Sequence, residues 1–182
     1  MKTLATIAAI ALLGLAVETR AHVVLDQPTA PAGSSYRAVF RVGHGCDGLP
    51  TRAITVRIPA GVQGAKPMPK PGWALATRTE TLATPYLSHG KRIDADVTEV
   101  AWTATAKDAF LPDAWYDEFV LRATLPAETG AVWFQVVQTC DDNGRDVRKE
   151  WAQVPKEGNS TRGLPLPAAL LLIEPAAPGH VH

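Results

Sequence analysis

Apolar side chains return at every second position in five stretches of the chain. Tyr36, Ala38, Phe40 and Val42 alternate with Arg37 and Arg41, and Ile54, Val56 and Ile58 alternate with Thr55 and Arg57. The same period runs through Val100, Trp102 and Ala104, through Phe119, Leu121, Ala123 and Leu125, and through Val132, Phe134 and Val136. A period of two sends one set of side chains to one face of an extended strand, so each stretch predicts a half-buried β-strand. No stretch of the mature chain competes with helical spacing. Turn chemistry separates the strands at Pro31-Ala32-Gly33-Ser34, at Gly43-His44-Gly45-Cys46-Asp47-Gly48, at Pro59-Ala60-Gly61 and at Asp141-Asp142-Asn143-Gly144. Asn143-Gly144 is a hairpin signal, because both residues tolerate the left-handed backbone of a two-residue turn. Lys66-Pro67-Met68-Pro69-Lys70-Pro71-Gly72 cannot lie in a central strand, since proline donates no ladder hydrogen bond, and it is expected to be a long surface connection between sheets. About seven short strands separated this way predict an all-β fold, an antiparallel β-sandwich of immunoglobulin-like or cupredoxin-like type.

Composition narrows the partners. The chain has 182 residues, 46% of them hydrophobic and 20% charged, with 18 basic against 18 acidic side chains. That describes one globular domain. A balanced charge, with no Lys/Arg run interleaved with aromatics, gives no basic field for phosphates, so nucleic-acid binding is not expected.

The first 21 residues are expected to be removed. Lys2 precedes an uncharged stretch over residues 4–17, and Thr19-Arg20-Ala21 puts small residues at the −3 and −1 positions of a cleavage site. This is the pattern of a secretory signal peptide, followed by a single domain over residues 22–182. A membrane span needs about 20 apolar residues, and neither this stretch nor residues 164–173, which contain Pro165 and Pro167, supplies them. The mature chain is therefore expected to be exported, in a bacterium to the periplasm, with no membrane span.

Export governs the cysteines. Cys46 and Cys140 are the only two, and an even count in an oxidising compartment argues for one disulfide. A free pair binding metal is the weaker reading, because the two lie far apart and neither belongs to a CxxC. If the sulfurs are bonded to each other, no thiolate remains as nucleophile or ligand.

Cleavage after Ala21 gives His22 a free α-amine beside its imidazole, and these two nitrogens can close a chelate ring on one ion. Their ordinary pKa values, about 7.7 to 8.0 and about 6.5, let both lose a proton to a metal near neutral pH. Nitrogen donors with a carboxylate in a tetragonal arrangement suit Cu(II).

Several short motifs carry a resemblance. They are His22-Val23-Val24-Leu25-Asp26-Gln27-Pro28, Ala32-Gly33-Ser34, Gly45-Cys46-Asp47-Gly48 with Pro50-Thr51, and Lys66-Pro67-Met68-Pro69-Lys70-Pro71-Gly72-Trp73. Ala101-Trp102-Thr103, Tyr116-Asp117-Glu118-Phe119, Gln135-Val136-Val137-Gln138-Thr139-Cys140 and Glu150-Trp151 complete the set. Together they resemble the YcnI-like copper-binding domain family, in its Gram-negative variant with a cysteine pair, over nearly the whole mature chain. The resemblance implies a cupredoxin-like sandwich that binds Cu(II) through a monohistidine brace: the N-terminal amine and ring nitrogen of His22, a carboxylate, and a nearby tryptophan, here Trp151. Glu118 is the favoured carboxylate, because it lies on the strand face opposite Phe119. Asp117 and Glu150 are rivals, as is Asp26, which shares a strand face with His22. A carboxylate is expected on physical grounds too, since neutral nitrogen ligands leave the ion's charge uncompensated. Trp151 cannot ligate through its indole N–H, which only donates, and is expected to shield the ion.

His44 and His89 lie in loops, where histidines are usually solvated, and His180 and His182 end the chain as a weak secondary site. Met68 is the only methionine of the mature chain, which excludes a Met-rich Cu(I) cluster. Three functions remain. The first is a non-enzymatic periplasmic copper-binding protein acting in trafficking or homeostasis, as chaperone or store, beside other periplasmic or membrane copper-handling proteins. The second is a copper-dependent oxidative enzyme of the N-terminal-His type, which would need a second histidine from His44 or His89. The third is an interaction sandwich that binds no metal.

Overall fold

The alternating stretches become strands of two facing sheets. The computed structural model describes residues 22–176; the leader assigned to residues 1–21, and His180 and His182, lie outside the described residues. In chain order the strands are β1 (Val24–Leu25), β2 (Thr29–Pro31), β3 (Ser35–Val42), β4 (Thr51–Arg57), β5 (Gln63–Pro67), β6 (Trp73–Ser88), β7 (Lys91–Ala104), β8 (Asp117–Thr124), β9 (Gly130–Asp142), β10 (Arg145–Trp151) and β11 (Ala169–Glu174). One sheet has the order β1-β3-β8-β5, and the other runs β2-β11-β9-β4-β7-β6, with β10 also on β9. A three-residue 3-10 turn at Lys107–Ala109 is the one helical element among the described residues. None of the described helices is long and apolar enough to cross a membrane.

The core forms where the inward sets meet. Phe40 on β3 lies opposite Phe119 on β8 in register, and its ring meets Phe134 of the facing sheet edge-on at 5.4 Å between centroids. Trp73 and Trp102 approach Phe119 in the same way at 5.0 and 5.7 Å. Edge-to-face contacts align the positive rim of one ring with the negative face of the next, adding to the gain from burial. Trp102 also satisfies its indole N–H, donating to the Met68 carbonyl at 2.9 Å.

Three features depart from the sequence reading. Residues 66–72 are not wholly a connection: Lys66 and Pro67 end β5, an edge strand on β8, where a missing proline donor costs no ladder bond. β6 and β7 form a long hairpin whose first strand carries no apolar alternation, since most of its side chains face solvent. Its tip is His89 and Gly90, both with positive φ, 48° and 74°. Finally, β2 runs parallel to β11, so the larger sheet is mixed rather than purely antiparallel.

One strand organises the end of the sandwich that concerns function. β9 pairs with β4 along one edge, while its other edge is divided between two partners: β10 takes Val136–Asp142 and β11 takes Gly130–Phe134. β10 arrives through the expected Asn143-Gly144 turn, with φ of 52° and 92°. It stops at Trp151, where the chain leaves β9 before β11 returns to it.

The tyrosines report on this packing. Burial, then the charge of Asp26, pushes the Tyr36 phenol up to about 12, and its O–H donates to the Gln27 carbonyl at 2.6 Å. Burial, then the hydrogen bond to Asp96, pushes Tyr86 up to about 12 as well, and burial followed by the hydrogen bond to Glu118 raises Tyr116. A folded value above the unfolded one of about 10 means that the neutral phenol stabilises the fold in full below that pH, and that this contribution disappears as pH rises through the folded value. Ultraviolet titration of tyrosinate should therefore show no ionisation centred at the ordinary value in the folded protein, and two groups near about 12. A normal tyrosine titration in protein still folded by circular dichroism would contradict this packing.

Candidate metal centre

His22 is positioned by the two-residue strand that follows it. Val24 and Leu25 pair with Arg41 and Phe40 of β3. Val23 and Leu25 are buried and Val24 is exposed, so the segment alternates and its inward residues anchor it to the core. His22 thus leads into β1 at the end of β3 where that strand runs out into the loop of residues 43–50. The His22 ring meets the indole of Trp151 at 5.8 Å between centroids, tilted by 54°, and its Nε2 is buried. On its other flank His22 lines a groove of about 260 Å³ shared with Leu25, Pro28, Ala168 and Leu170.

Trp151 faces inward because it pairs with Val136, whose side chain is in the core. Its Nε1–H donates to Oε1 of Gln138 at 3.1 Å. Gln138 is itself 1% exposed, and its amide nitrogen donates to the Thr51 hydroxyl at 2.7 Å and to the His44 carbonyl at 2.8 Å. A primary amide has two N–H donors and a carbonyl acceptor, and all three functions are used here. An amide this deeply buried must find such partners, since each one missed costs about 1 to 3 kcal/mol.

The His44 loop is fastened along its length. Cys46 is joined to Cys140 across 94 residues, and neither cysteine is free. Gly45 N–H donates to Oδ1 of Asp113 at 2.9 Å, Lys149 pairs with Asp47 at 2.7 Å, and Cys46 and Leu49 exchange backbone hydrogen bonds at 3.1 Å. Only glycine fits at position 45, where a Cβ would sit 1.7 Å from the Leu49 carbonyl oxygen. So held, the His44 ring stands edge-on to Trp151 at 6.2 Å, at 75°. Its Nδ1 contacts the Gly45 carbonyl, which can only accept, so Nδ1 carries the hydrogen and in the neutral ring Nε2 carries the lone pair.

The structure thus brings His22 and Trp151 together, adds His44, which the sequence reading considered only as the second histidine of an oxidative enzyme, and adds Gln138 and Asp113, which it did not select. It puts the other expected residues elsewhere. Glu118 lies on β8 opposite Arg41, so the full width of β3 separates it from β1, and its carboxylate accepts from the Tyr116 hydroxyl at 2.6 Å. Asp117 pairs with Lys70 at 2.6 Å, and Asp26 with Arg41 at 3.6 Å. Glu150 is exposed on β10, on the face away from Trp151. His89 is at the tip of the β6–β7 hairpin.

Among the described residues, no group of three or more His, Cys, Asp or Glu side chains is gathered closely enough to hold a metal ion. A chelate drawing on the main-chain amine of His22 needs fewer side chains. Own-amine chelation uses Nδ1 of the same ring, through a six-membered ring, and it is the other nitrogen, Nε2, that the fold buries. Imidazole nitrogens beside a buried indole therefore fit a Cu(II) ion bound to a chain that starts at His22.

Comparison with known proteins identifies the same segment. A family model described as a domain of unknown function (DUF1775), the family that the YcnI-like motifs point to, matches residues 22–173. Among solved structures, an uncharacterized protein from Nocardia farcinica described as having an immunoglobulin-like fold superimposes with a TM-score of 0.62 at 27% identity, covering 84% of this chain and 97% of that one. A search of curated proteins finds no match.

Replacing Gln138 with Leu keeps the volume and removes all three side-chain bonds of the network, leaving the Trp151 N–H, the Thr51 hydroxyl and the His44 carbonyl to be satisfied otherwise. Denaturant unfolding should show a loss of about 2 to 4 kcal/mol and a changed tryptophan emission. A change within about 0.5 kcal/mol would mean that the network is not a structural requirement.

Proposed function

This chain belongs to the DUF1775 family, and from that premise we propose that it is an exported Cu(II)-binding protein that carries copper at the N-terminus generated by cleavage before His22. The observation that supports this most is the His22 ring set against Trp151 with Nε2 buried, which leaves Nδ1 as the nitrogen for chelation with the amine. The family match begins at His22, where the signal-peptide pattern ends. The disulfide suits an oxidising compartment such as the periplasm, and by consuming both sulfurs it removes the thiolate that a blue-copper centre needs. The indole of Trp151 excludes water from one side of the ion, favouring storage or delivery in copper homeostasis, with another copper-handling protein as partner, over turnover. Asp113, beside the His44 loop, is the carboxylate that offsets the ion's charge.

A second reading draws on His44. A second imidazole at Trp151 is what an oxidative enzyme of the N-terminal-His type requires, and oxygen consumption by the copper-loaded protein with ascorbate separates the two. The copper-carrier reading expects no sustained turnover above free copper.

The direct test compares Cu(II) titrations of protein beginning at His22 and of protein with one extra residue before it. The first should bind one ion with nitrogen hyperfine structure in electron paramagnetic resonance. The second should bind at least about a hundredfold more weakly, roughly 2.7 kcal/mol. Equal binding would remove the amine from the ligand set and overturn the proposal.

A further inference from the structure

We propose that His44 supplies a second imidazole, through Nε2, to the ion held by His22; the inference rests on the copper reading above and deepens it. Three observations converge on this residue. His22 and His44 both meet one indole, at 5.8 and 6.2 Å from the Trp151 ring, and the β1–β3 pairs, Val24 with Arg41 and Leu25 with Phe40, lead back to His22 on one strand and on toward His44 on the other. The Nδ1 contact with the Gly45 carbonyl fixes the tautomer with the lone pair on Nε2, the arrangement in which a carbonyl orients a ligating imidazole. The loop that carries the ring is held at the His44 carbonyl by Gln138 and just beyond it by Asp113 and the disulfide.

That degree of fixation is unusual for a solvated loop histidine. Surface loops ordinarily leave such side chains to water, whereas here a buried amide, a carboxylate and a disulfide converge within three residues of the ring. With the amine and Nδ1 of His22, Nε2 of His44 makes a set of three nitrogens, two of them imidazole, suited to the tetragonal preference of Cu(II). His89, at the far tip of the β6–β7 hairpin, has no part in it.

The test counts imidazoles. Pulsed electron paramagnetic resonance detects the remote nitrogen of each equatorial imidazole, so Cu(II) added to protein beginning at His22 should show two, with His44→Gln showing one and His89→Gln still showing two. His44→Gln leaves the backbone carbonyl that Gln138 uses, so its melting temperature serves as a control on folding. Its Cu(II) affinity should fall at least about tenfold. One imidazole in the unmodified protein, or two remaining in His44→Gln, would overturn the role of His44 while leaving the His22 chelate standing. Absence of any nitrogen-coordinated copper in the unmodified protein would instead remove the underlying copper reading, and this inference with it.

Discussion

A primary amide sealed between two sheets is the constraint on which the functional end of this protein depends. Gln138 cannot be hydrated at 1% exposure, so its donors and acceptor must be matched by the fold itself. The matching partners come from three separate parts of the chain: Thr51 at the start of β4, the His44 carbonyl in the loop after β3, and the Trp151 indole at the end of β10. Satisfying one side chain therefore fixes the relative positions of a strand, a loop and an aromatic ring. A leucine there would fill the same volume and take away the bonds to the Trp151 N–H, the Thr51 hydroxyl and the His44 carbonyl.

The covalent link works on the same elements. Cys140 lies two residues beyond Gln138 on the same face of β9, and its bond to Cys46 fastens the loop whose His44 carbonyl Gln138 also holds. In the chain-entropy model, closing a loop of this order stabilises by about 4 to 5 kcal/mol. The local result is a short loop with little freedom, facing a tryptophan that is placed by the termination of β10 against the middle of β9. For the proposed metal site, parts held this way are organised before any ion arrives, which lowers the cost of ordering on binding.

Much of the scaffold could be read from the sequence because one face of each inner strand is buried. Tyr36, Ala38, Phe40 and Val42 on β3, and Phe119, Leu121 and Ala123 on β8, point into the core as their alternation requires. β6 was illegible for the opposite reason: with both faces mostly in solvent, residues such as Thr77, Arg78, Thr79 and Glu80 carry no period. The site was only half legible. His22 and Trp151 announced themselves through a family motif, whereas Gln138 left a subtler mark, a polar residue at an inward position between Val136 and Cys140. His44 could be named only as one of two loop histidines, because its glycine-rich surroundings do not show the bond from Gln138 that holds it. Glu118 satisfied the local alternation, yet strand order set β3 between it and the N-terminus, and strand order is not encoded in the alternation itself.

The proposed copper site lies at the Trp151 junction, and the five tryptophans provide a built-in map of it. Adding substoichiometric Cu(II) to nitrogen-15-labelled protein beginning at His22 should broaden the Trp151 indole resonance and the Gln138 side-chain amide first, while the indole of Trp115, exposed on the loop before β8, and that of Trp73 in the core persist longest. Preferential broadening around Glu118, around the C-terminal histidines, or uniformly across all five indoles would contradict it.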